Sequence, residues 1–191
     1  MQVLYVYGCS HVYGDGLQDR SRESFVSQLG NRLKILTANR GSCGASVKET
    51  AHRISARSYL PGSVVLVLWP NYSRSCVIHK DYYKKISVTL NSDKEFEFAY
   101  YRQYADYDFT FTRESYILRA QQHCVSQGTR ILHMFVDQDR EVSEFITPQL
   151  SVPRFDCFRL QYPIAADGRH MGPEGHCEYA RIIADKISSF L

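Results

Sequence analysis

The chain has 191 residues, of which 44% are hydrophobic and 23% are charged, and its formal net charge at pH 7 is +3. These values are typical of one globular domain with a core of ordinary size, so we predict a single domain over residues 1–191. Because the charge is small and no basic cluster exceeds the pair Lys84–Lys85, nucleic acid is not expected as a partner.

Strand and helix patterns alternate along the chain, which predicts an α/β fold with a central parallel sheet covered on both faces. In chain order we predict a strand at 2–8, a helix at 23–33, a short strand at 33–36, a helix at 46–59, a strand at 64–68, a helix at 113–127, a strand at 130–136 and a helix at 173–190. The helix at 46–59 begins with Ser46-Val47-Lys48-Glu49, a capping-box pattern.

The alternation breaks down at about residues 72–111, where we predict an insertion after the third strand. Ile86–Leu90 and Glu95–Tyr100 alternate with period two on either side of Asn91–Lys94, which predicts a β-hairpin. A segment rich in tyrosine follows, and its rings can bind sugar rings or a protein partner. Alternatively, they pack the insertion onto the body of the domain or form a homodimer contact. The tyrosines concerned are Tyr101, Tyr104 and Tyr107.

Neither membrane insertion nor export is indicated. No stretch approaches the length of a membrane span, and the first strand follows Met1-Gln2 without a basic and apolar signal region, so we expect a cytoplasmic location. The cysteines lack metal-ligand spacing, so we expect free thiols and no metal site. They are Cys9, Cys43, Cys76, Cys124, Cys157 and Cys177.

The residue types needed for nucleophilic catalysis occur in two segments near the ends of the chain. Ser10 follows the first strand in Gly8-Cys9-Ser10-His11-Val12-Tyr13-Gly14, and Asp167 precedes His170 by three residues. A serine hydroxyl needs a neutral imidazole to take its proton, and a carboxylate behind the imidazole fixes its tautomer. Ser10 can alternatively be structural, with Cys9 as a rival nucleophile. Asp167 and His170 can alternatively cap a helix or lie on the surface.

Two further segments follow strands of the predicted sheet. The small residues of Asn39-Arg40-Gly41-Ser42-Cys43-Gly44-Ala45-Ser46 allow backbone amides to approach an oxyanion, and Trp69-Pro70-Asn71 places a side-chain amide at the same edge. Arg74 can act as a cationic donor, hold a substrate carboxylate, or be solvated. His11 can tune the site, bind substrate, or have no role. His176 is expected at the surface of the last helix or in a supporting position behind the site.

In the order of these segments the chain resembles the SGNH hydrolases, the GDSL-type esterase family. The family's G-D-S-x-x-x-G is matched at residues 8–14, its N-x-G-x-x-G at residues 39–44 and its D-x-x-H at residues 167–170. The resemblance implies a flavodoxin-like three-layer α/β/α sandwich. It implies that Ser10 is the nucleophile, that the amides of Ser10 and Gly44 belong to the oxyanion hole, and that the last block completes the triad.

The chain departs from the family's pattern in two places. Cys9 replaces the aspartate that precedes the serine, a change expected to alter how the loop is held rather than the reaction. The third block, G-x-N-D, is reduced to Trp69-Pro70-Asn71-Tyr72, so Asn71 is either the third oxyanion donor or a turn residue.

These observations predict a serine esterase that removes an acetyl or short acyl group from a carbohydrate or small polar acceptor. Its substrate would be a small-molecule or glycan ester, and no cofactor is required. Two alternatives are an acyltransferase that uses the same site and an inactive module that binds glycan or protein. A weaker resemblance, to members encoded by tailed bacteriophages, implies a location in the host cytoplasm or on the virion.

Overall fold

The computed structural model describes residues 2–71, 74–78, 83–87, 106–136, 144–150, 152–153, 155 and 160–191. The strands are β1 (Val3–Gly8), β2 (Leu36–Gly41), β3 (Val64–Trp69), β4 (Arg74–Ile78), β5 (Tyr83–Ser87) and β6 (Arg130–Phe135). The helices are α1 (Ser10–Tyr13), α2 (Arg20–Glu23), α3 (Phe25–Leu33), α4 (Val47–Ser55), α5 (Asp106–Ser126) and α6 (Pro173–Ile187), and a 3₁₀ turn follows at Ser188–Phe190. Over these ranges, no helix is long and apolar enough to cross a membrane.

Four parallel strands form the central sheet, in the order β2-β1-β3-β6. Tyr7 of β1 lies opposite Arg40 of β2, and Gly8 lies opposite both Gly41 and Leu68. The carboxyl ends of β1, β2 and β3 therefore reach the same edge of the sheet. In doubly wound sheets, ligands bind in the crevice outside this edge.

Helices cover both faces of the sheet. Leu4 and Val6 of β1 belong to a buried core that includes residues of α3 and α6, whereas Tyr5 and Tyr7 belong to a second core with residues of α4 and α5. Successive strand residues point to opposite faces, so the alternation along β1 divides its side chains between the two cores. The predicted three-layer α/β/α architecture with a central parallel sheet is confirmed.

The second strand is the main correction to the predicted elements. It spans Leu36–Gly41 and not residues 33–36, because Leu33 ends α3 and Lys34 then adopts a left-handed conformation with a φ of 54°. Every residue of β2 is at least partly exposed, as expected for an edge strand that pairs only with β1. An edge strand needs no apolar run, so the hydrophobic pattern placed it too early.

Capping residues set the helix boundaries. The predicted helix at 23–33 is divided at Ser24, whose hydroxyl accepts a hydrogen bond from Ser27 N–H and caps α3, and the single turn of α2 precedes it. Ser46 accepts from Glu49 N–H at 3.2 Å, so its predicted capping role is confirmed, although α4 ends before the predicted residue 59.

A hairpin follows the third strand, but its antiparallel strands are β4 and β5. The hairpin predicted at 86–100 begins with Ile86 and Ser87, which pair with Ser75 and Arg74 of β4, whereas residues 88–100 lie outside the described residues, so the predicted pairing with Glu95–Tyr100 stays a prediction. A period-two pattern indicates a strand but does not identify all of its partners, so the pairing of β5 with β4 was not predicted. α5 begins at Asp106, so the end of the tyrosine-rich segment is helical.

Trp69, the last residue of β3, contacts a buried histidine of β6. Its Nε1–H donates to His133 Nδ1 at 2.9 Å, and the two rings stack with their centroids 6.0 Å apart. Because Nδ1 accepts, Nε2 carries the hydrogen and donates to Gln121 Oε1 at 3.0 Å. Gln121 Oε1 also accepts from Thr147 N–H at 3.1 Å, which joins α5 to the segment that follows β6. Burial lowers the pKa of His133 to about 3, so this histidine is neutral at pH 7.

Candidate active site

A tight turn at the end of β1 places Ser10 at the carboxyl edge of the sheet. α1 begins at Ser10, directly after its N-cap residue Cys9. A Cβ on Gly8 would lie 2.5 Å from Val12 Cγ2 and 2.7 Å from Leu68 O, so glycine is required for α1 to fold back over the strand end. Gly8 thus determines where Ser10 lies.

Asn39 connects the segment at residues 39–44 to α1. Its side-chain N–H donates to Val12 O at 2.7 Å, and its side-chain oxygen accepts from Gly41 N–H at 3.0 Å. The sequence assigned Asn39 no role of its own, although an Asn two residues before a glycine is a frequent turn signal. Asn39 is therefore a positioning residue for α1, and through it for Ser10.

Gly44 lies in a turn that its neighbours hold in place. Ser42 N–H donates to Gly8 O at 3.0 Å, and Ser42 Oγ donates to Glu49 Oε1 of α4 at 2.9 Å. Ala45 N–H closes the turn on Ser42 O at 3.0 Å. Gly44 is exposed and has a φ of 68°, a conformation that favours glycine. Its backbone therefore lies at the same edge of the sheet as Ser10.

Asp167 and His170 form a hydrogen-bonded pair within one turn. His170 Nδ1 lies 2.5 Å from Asp167 Oδ2, while Asp167 Oδ1 accepts from the backbone N–H groups of His170 and Arg169 at 3.0 and 2.9 Å. The His170 N–H, the imidazole and the Arg169 N–H hold the pKa of Asp167 well below its usual range. The ionised carboxylate accepts the Nδ1 hydrogen, which leaves Nε2 as the basic nitrogen that a general base requires.

A segment near the N-terminus, which includes His11 and Gly16, contacts the Asp167–His170 pair. His11 is next to Ser10 in sequence. Its ring centroid lies 5.6 Å from that of His170, in an edge-to-face arrangement. A Cβ on Gly16 would lie 2.7 Å from Asp167 Cγ, so the loop after α1 packs directly on the carboxylate. Within the described residues no hydrogen bond joins Ser10 Oγ to His170 Nε2, and such bonds are often long in enzymes without substrate.

His11 is buried beside the pair. It is 7% exposed, and its ring centroid lies 4.2 Å from that of Phe155. The His11 ring thus contacts the rings of both Phe155 and His170, and its predicted role in tuning the site stays a prediction. Its other predicted role, in substrate binding, stays a prediction.

His176 of α6 supports the site from behind. It is 1% exposed, so the expectation of a helix-surface position is wrong. Its Nδ1 accepts from the N–H of Phe25, the first residue of α3, at 3.1 Å, and its ring stacks on that of Phe25. Burial and, to a lesser degree, the charge of His170 lower the pKa of His176 to about 4. The neutral ring thus fixes α6 against α3 close to His170.

The two buried histidines predict that acid destabilises the fold. His133 and His176 have folded-state pKa values of about 3 and about 4, below the ordinary value of 6.5. Within that interval the unfolded chain binds more protons than the folded chain, so the free energy of unfolding falls as the pH drops below about 6.5. Two such groups give a slope of about 2.7 kcal/mol per pH unit. Urea unfolding between about pH 7 and pH 4.5 measures this slope.

Matched variants assign the slope to these residues. His133→Gln and His176→Gln should each remove about half of it, because each removes one titrating group. Asp167, whose pKa is also lowered, titrates below this interval because its ordinary value is 3.8. An unchanged slope in both variants would show that other groups take up the protons.

Comparison with known proteins bears on the fold. No family model and no curated protein matches the sequence. Among solved structures, a lipolytic protein of the G-D-S-L family from Veillonella parvula is similar with a TM-score of 0.55 and 12% identity, over 99% of this chain and 97% of that chain. The chain has the SGNH hydrolase fold.

Two esterases have the same SGNH hydrolase fold. An acetyl xylan esterase from Butyrivibrio proteoclasticus is similar with a TM-score of 0.60 and 10% identity, over 99% of this chain and 64% of that chain. The psychrotrophic esterase EstA from Pseudoalteromonas, in a structure inhibited by monoethylphosphonate, has a TM-score of 0.56 and 10% identity, over 98% and 97% of the two chains. The predicted fold class is therefore confirmed.

In this SGNH hydrolase fold the third block follows β3. Asn71 is half-buried, and its backbone carbonyl accepts from Arg74 N–H at 3.4 Å. A hydrogen bond between these positions agrees with the turn-forming alternative, and the oxyanion role of the Asn71 amide stays a prediction. Arg74 begins β4 and is half-buried, so it is not the fully solvated arginine expected as one alternative.

The remaining expectations concern cysteines, metals and tyrosines. Cys9, Cys43, Cys76, Cys124 and Cys177 are free, as predicted, and Cys157 lies outside the described residues. In the part of the chain that the structure describes, no three His, Cys, Asp or Glu side chains are placed to hold a metal ion. Tyr101 and Tyr104 lie outside that part, and of Tyr107 only its place in α5 is described, so their sugar-binding and dimer-contact roles stay predictions.

Proposed function

We propose that the protein is a serine esterase. The observation that supports this most is the Asp167–His170 pair, with a distance of 2.5 Å between Oδ2 and Nδ1, beside the helix that begins with Ser10. An ionised carboxylate, an imidazole whose Nε2 can accept a proton, and a hydroxyl at the carboxyl edge of the sheet are the groups of a serine hydrolase. The His11 and His170 rings, with their centroids 5.6 Å apart, connect the segment that contains Ser10 to the segment that contains Asp167 and His170.

In the proposed reaction, Ser10 Oγ attacks the ester carbonyl as His170 Nε2 takes the hydroxyl proton. Asp167 stabilises the imidazolium that forms. The tetrahedral oxyanion receives hydrogen bonds from the N–H groups of Ser10 and Gly44 and from the side-chain amide of Asn71. Loss of one such donor typically costs about 3 kcal/mol of transition-state stabilisation. His170 then gives the proton to the leaving alcohol, and a water molecule activated by the same nitrogen hydrolyses the acyl-enzyme.

The proposed substrate is an acetyl or short-chain ester of a carbohydrate or small polar acceptor. A cleft of about 550 Å³ adjoins α1 and the Asn39–Gly44 segment, and its lining is polar, although Ser10, Asp167 and His170 do not line it. Tyr13 and Asp19 supply a hydroxyl and a carboxylate there, and Asn39 supplies an amide. Such groups exchange hydrogen bonds with sugar hydroxyls. The acetyl xylan esterase among the similar structures is compatible with this choice.

The test is turnover of p-nitrophenyl acetate by the purified protein. Ser10→Ala should lower turnover by about 10⁴-fold or more, whereas Cys9→Ala should keep most of it, since we assign the attack to the serine. Cys9 is a matched control because it is the adjacent residue and is as deeply buried, at 1% exposed against 4% for Ser10. Failure of the wild-type protein on this ester and on a panel of acetylated glycans would refute the proposal.

A fluorophosphonate reagent should label Ser10, as mapped by mass spectrometry of proteolytic fragments. The tetrahedral phosphorus of such reagents resembles the intermediate of ester hydrolysis, so labelling requires an activated nucleophile. Labelling of Cys9 instead would reassign the nucleophile and leave the esterase proposal otherwise intact. Labelling that persists in His170→Ala at the wild-type rate would contradict the role of His170 as the base.

Esterase activity should survive both EDTA and dithiothreitol. The proposed steps need a hydroxyl, an imidazole and a carboxylate, and none of them uses a metal ion or a disulfide. Turnover measured before and after incubation with each reagent should agree within error. Loss on chelation that added zinc restores would overturn the serine mechanism.

A further inference from the structure

A cavity unrelated to the proposed catalytic groups lies between the edge strand β2 and the end of α4. Its volume is about 220 Å³, and it is lined by Tyr7, Arg40, Arg53, Ala56 and Arg57, which we call the arginine cavity. Tyr7 and Arg40 are paired across β1 and β2, so their side chains lie side by side on one face of the sheet. Arg53 lies in the last turn of α4, and Arg57 follows the helix C-cap residue Ala56.

Among the described residues, the three guanidinium groups have no carboxylate partner. Within the described residues, none of Arg40, Arg53 and Arg57 forms an ion pair. The nearest acid along α4, Glu49, receives the Ser42 hydroxyl at 2.9 Å instead. Arg40 Nε is buried and has no hydrogen-bond partner in the described part of the chain. Three like charges around one cavity repel each other, and an anion in the cavity would relieve this repulsion.

The charges converge on the hydroxyl of Tyr7. Burial raises the pKa of Tyr7, while Arg57, Arg40 and Arg53 each act to lower it, so the field of all three guanidinium groups reaches this hydroxyl. Tyr7 is 1% exposed, and its hydroxyl lies 3.1 Å from that of Tyr59. The cavity thus has a buried hydroxyl group, that of Tyr7, next to its three arginines.

Contacts with His123 of α5 and with Gln127, which follows that helix, hold the backbone of Arg57 in place. The carbonyl of Arg57 lies 2.8 Å from His123 Nε2 and accepts from Gln127 Nε2 at 3.1 Å. Gln127 Oε1 in turn accepts from Tyr59 N–H at 2.7 Å. Because the backbone is already fixed at Arg57 and Tyr59, a ligand has to order only the arginine side chains.

We propose that the arginine cavity binds the diphosphate or triphosphate group of a small molecule. Guanidinium groups match phosphate oxygens with paired N–H donors, and three of them balance a ligand that carries two or more negative charges. The volume of about 220 Å³ is below that of ordinary drug-sized pockets, so it suits the phosphate groups with the remainder of the ligand outside. This site is additional to the esterase proposal and does not depend on it.

Isothermal titration calorimetry with the full chain tests the proposal at low ionic strength. Inorganic pyrophosphate, orthophosphate and ATP are the three ligands. We expect pyrophosphate to bind with a stoichiometry of one and about tenfold more tightly than orthophosphate, because it engages more of the arginines. ATP binding at the affinity of pyrophosphate would indicate that phosphate alone is recognised, whereas tighter ATP binding would indicate that a nucleoside adds contacts.

Arginine variants locate the site. Arg40→Gln and Arg57→Gln should each weaken pyrophosphate binding by about tenfold or more, and the double variant should abolish it. Arg119→Gln, which removes the same charge from the exposed face of α5, should leave the affinity unchanged. Arg57→Lys keeps the charge but loses the paired donors, so it should bind at an intermediate affinity and serves where a Gln variant unfolds. Absence of saturable binding, or equal weakening by Arg119→Gln, would overturn the proposal.

Discussion

Ser10→Ala and His170→Ala are each expected to lower kcat/KM for p-nitrophenyl acetate by about 10⁴-fold or more, and the double variant should be little worse than either one. The hydroxyl and the imidazole act in one proton transfer, so removing the second partner costs little once the first is gone. Asp167→Asn should lower kcat/KM by about 10³- to 10⁴-fold, because an amide in place of the ionised carboxylate no longer selects the Nδ1–H tautomer of His170.

Steady-state kinetics on the single and double variants separate a shared mechanism from independent contributions. The control is Ser126→Ala at the end of α5. Among the described residues, its hydroxyl bonds only to His123 O, at 2.8 Å in the same helix turn, so the variant should turn over at the wild-type rate. Losses that multiply in the double variant would mean that Ser10 and His170 act separately. Circular dichroism on each variant distinguishes lost chemistry from lost structure.

The fold was predictable wherever burial leaves an apolar run. Both β1 and β3 are fully buried, and their hydrophobic patterns placed them within one residue of their actual ends. The edge strand β2 has no such run, since pairing with β1 on one side holds it in the sheet, and the prediction for it was wrong. After β3, the period-two pattern indicated a strand that includes Ile86, but it did not identify β4 as a partner of that strand.

The contacts of the candidate site were also predictable only in part. The residues of the D-x-x-H turn lie close in sequence, so their contact follows from spacing alone, and the structure has them hydrogen bonded. Contacts between residues distant in sequence gave no such signal. His176 bonds to Phe25 across 151 positions, and Gly16 packs on Asp167. The arginine cavity depends on the register between β1 and β2 and on the end of α4, which sequence periodicity does not provide.

Gly41→Ala should both destabilise the protein and impair catalysis, although this glycine makes no chemical contribution. A Cβ at this position would overlap the backbone nitrogen of Tyr13, whose N–H donates to Cys9 O at 3.0 Å within the turn that carries Ser10. Neither backbone can move freely, because Gly41 is paired with Gly8 in the sheet. We expect a loss of about 3 kcal/mol in the free energy of unfolding, measured by urea denaturation.

The displaced α1 should also lower kcat/KM by about 100-fold, since a shift of about 1 Å in a catalytic group has an effect of that size. Gly62→Ala is the matched control, with a φ of 76° and no atom within 4 Å of the added Cβ. Its left-handed conformation should cost about 1 kcal/mol of stability and leave turnover unchanged, because it lies far from the packing of α1 on β2. If Gly41→Ala kept both wild-type stability and wild-type turnover, the contact between α1 and β2 would not be what positions Ser10. If it lost stability but kept turnover in the folded fraction, α1 would have relaxed without moving the nucleophile, and Asn39 would become the next residue to test as its anchor.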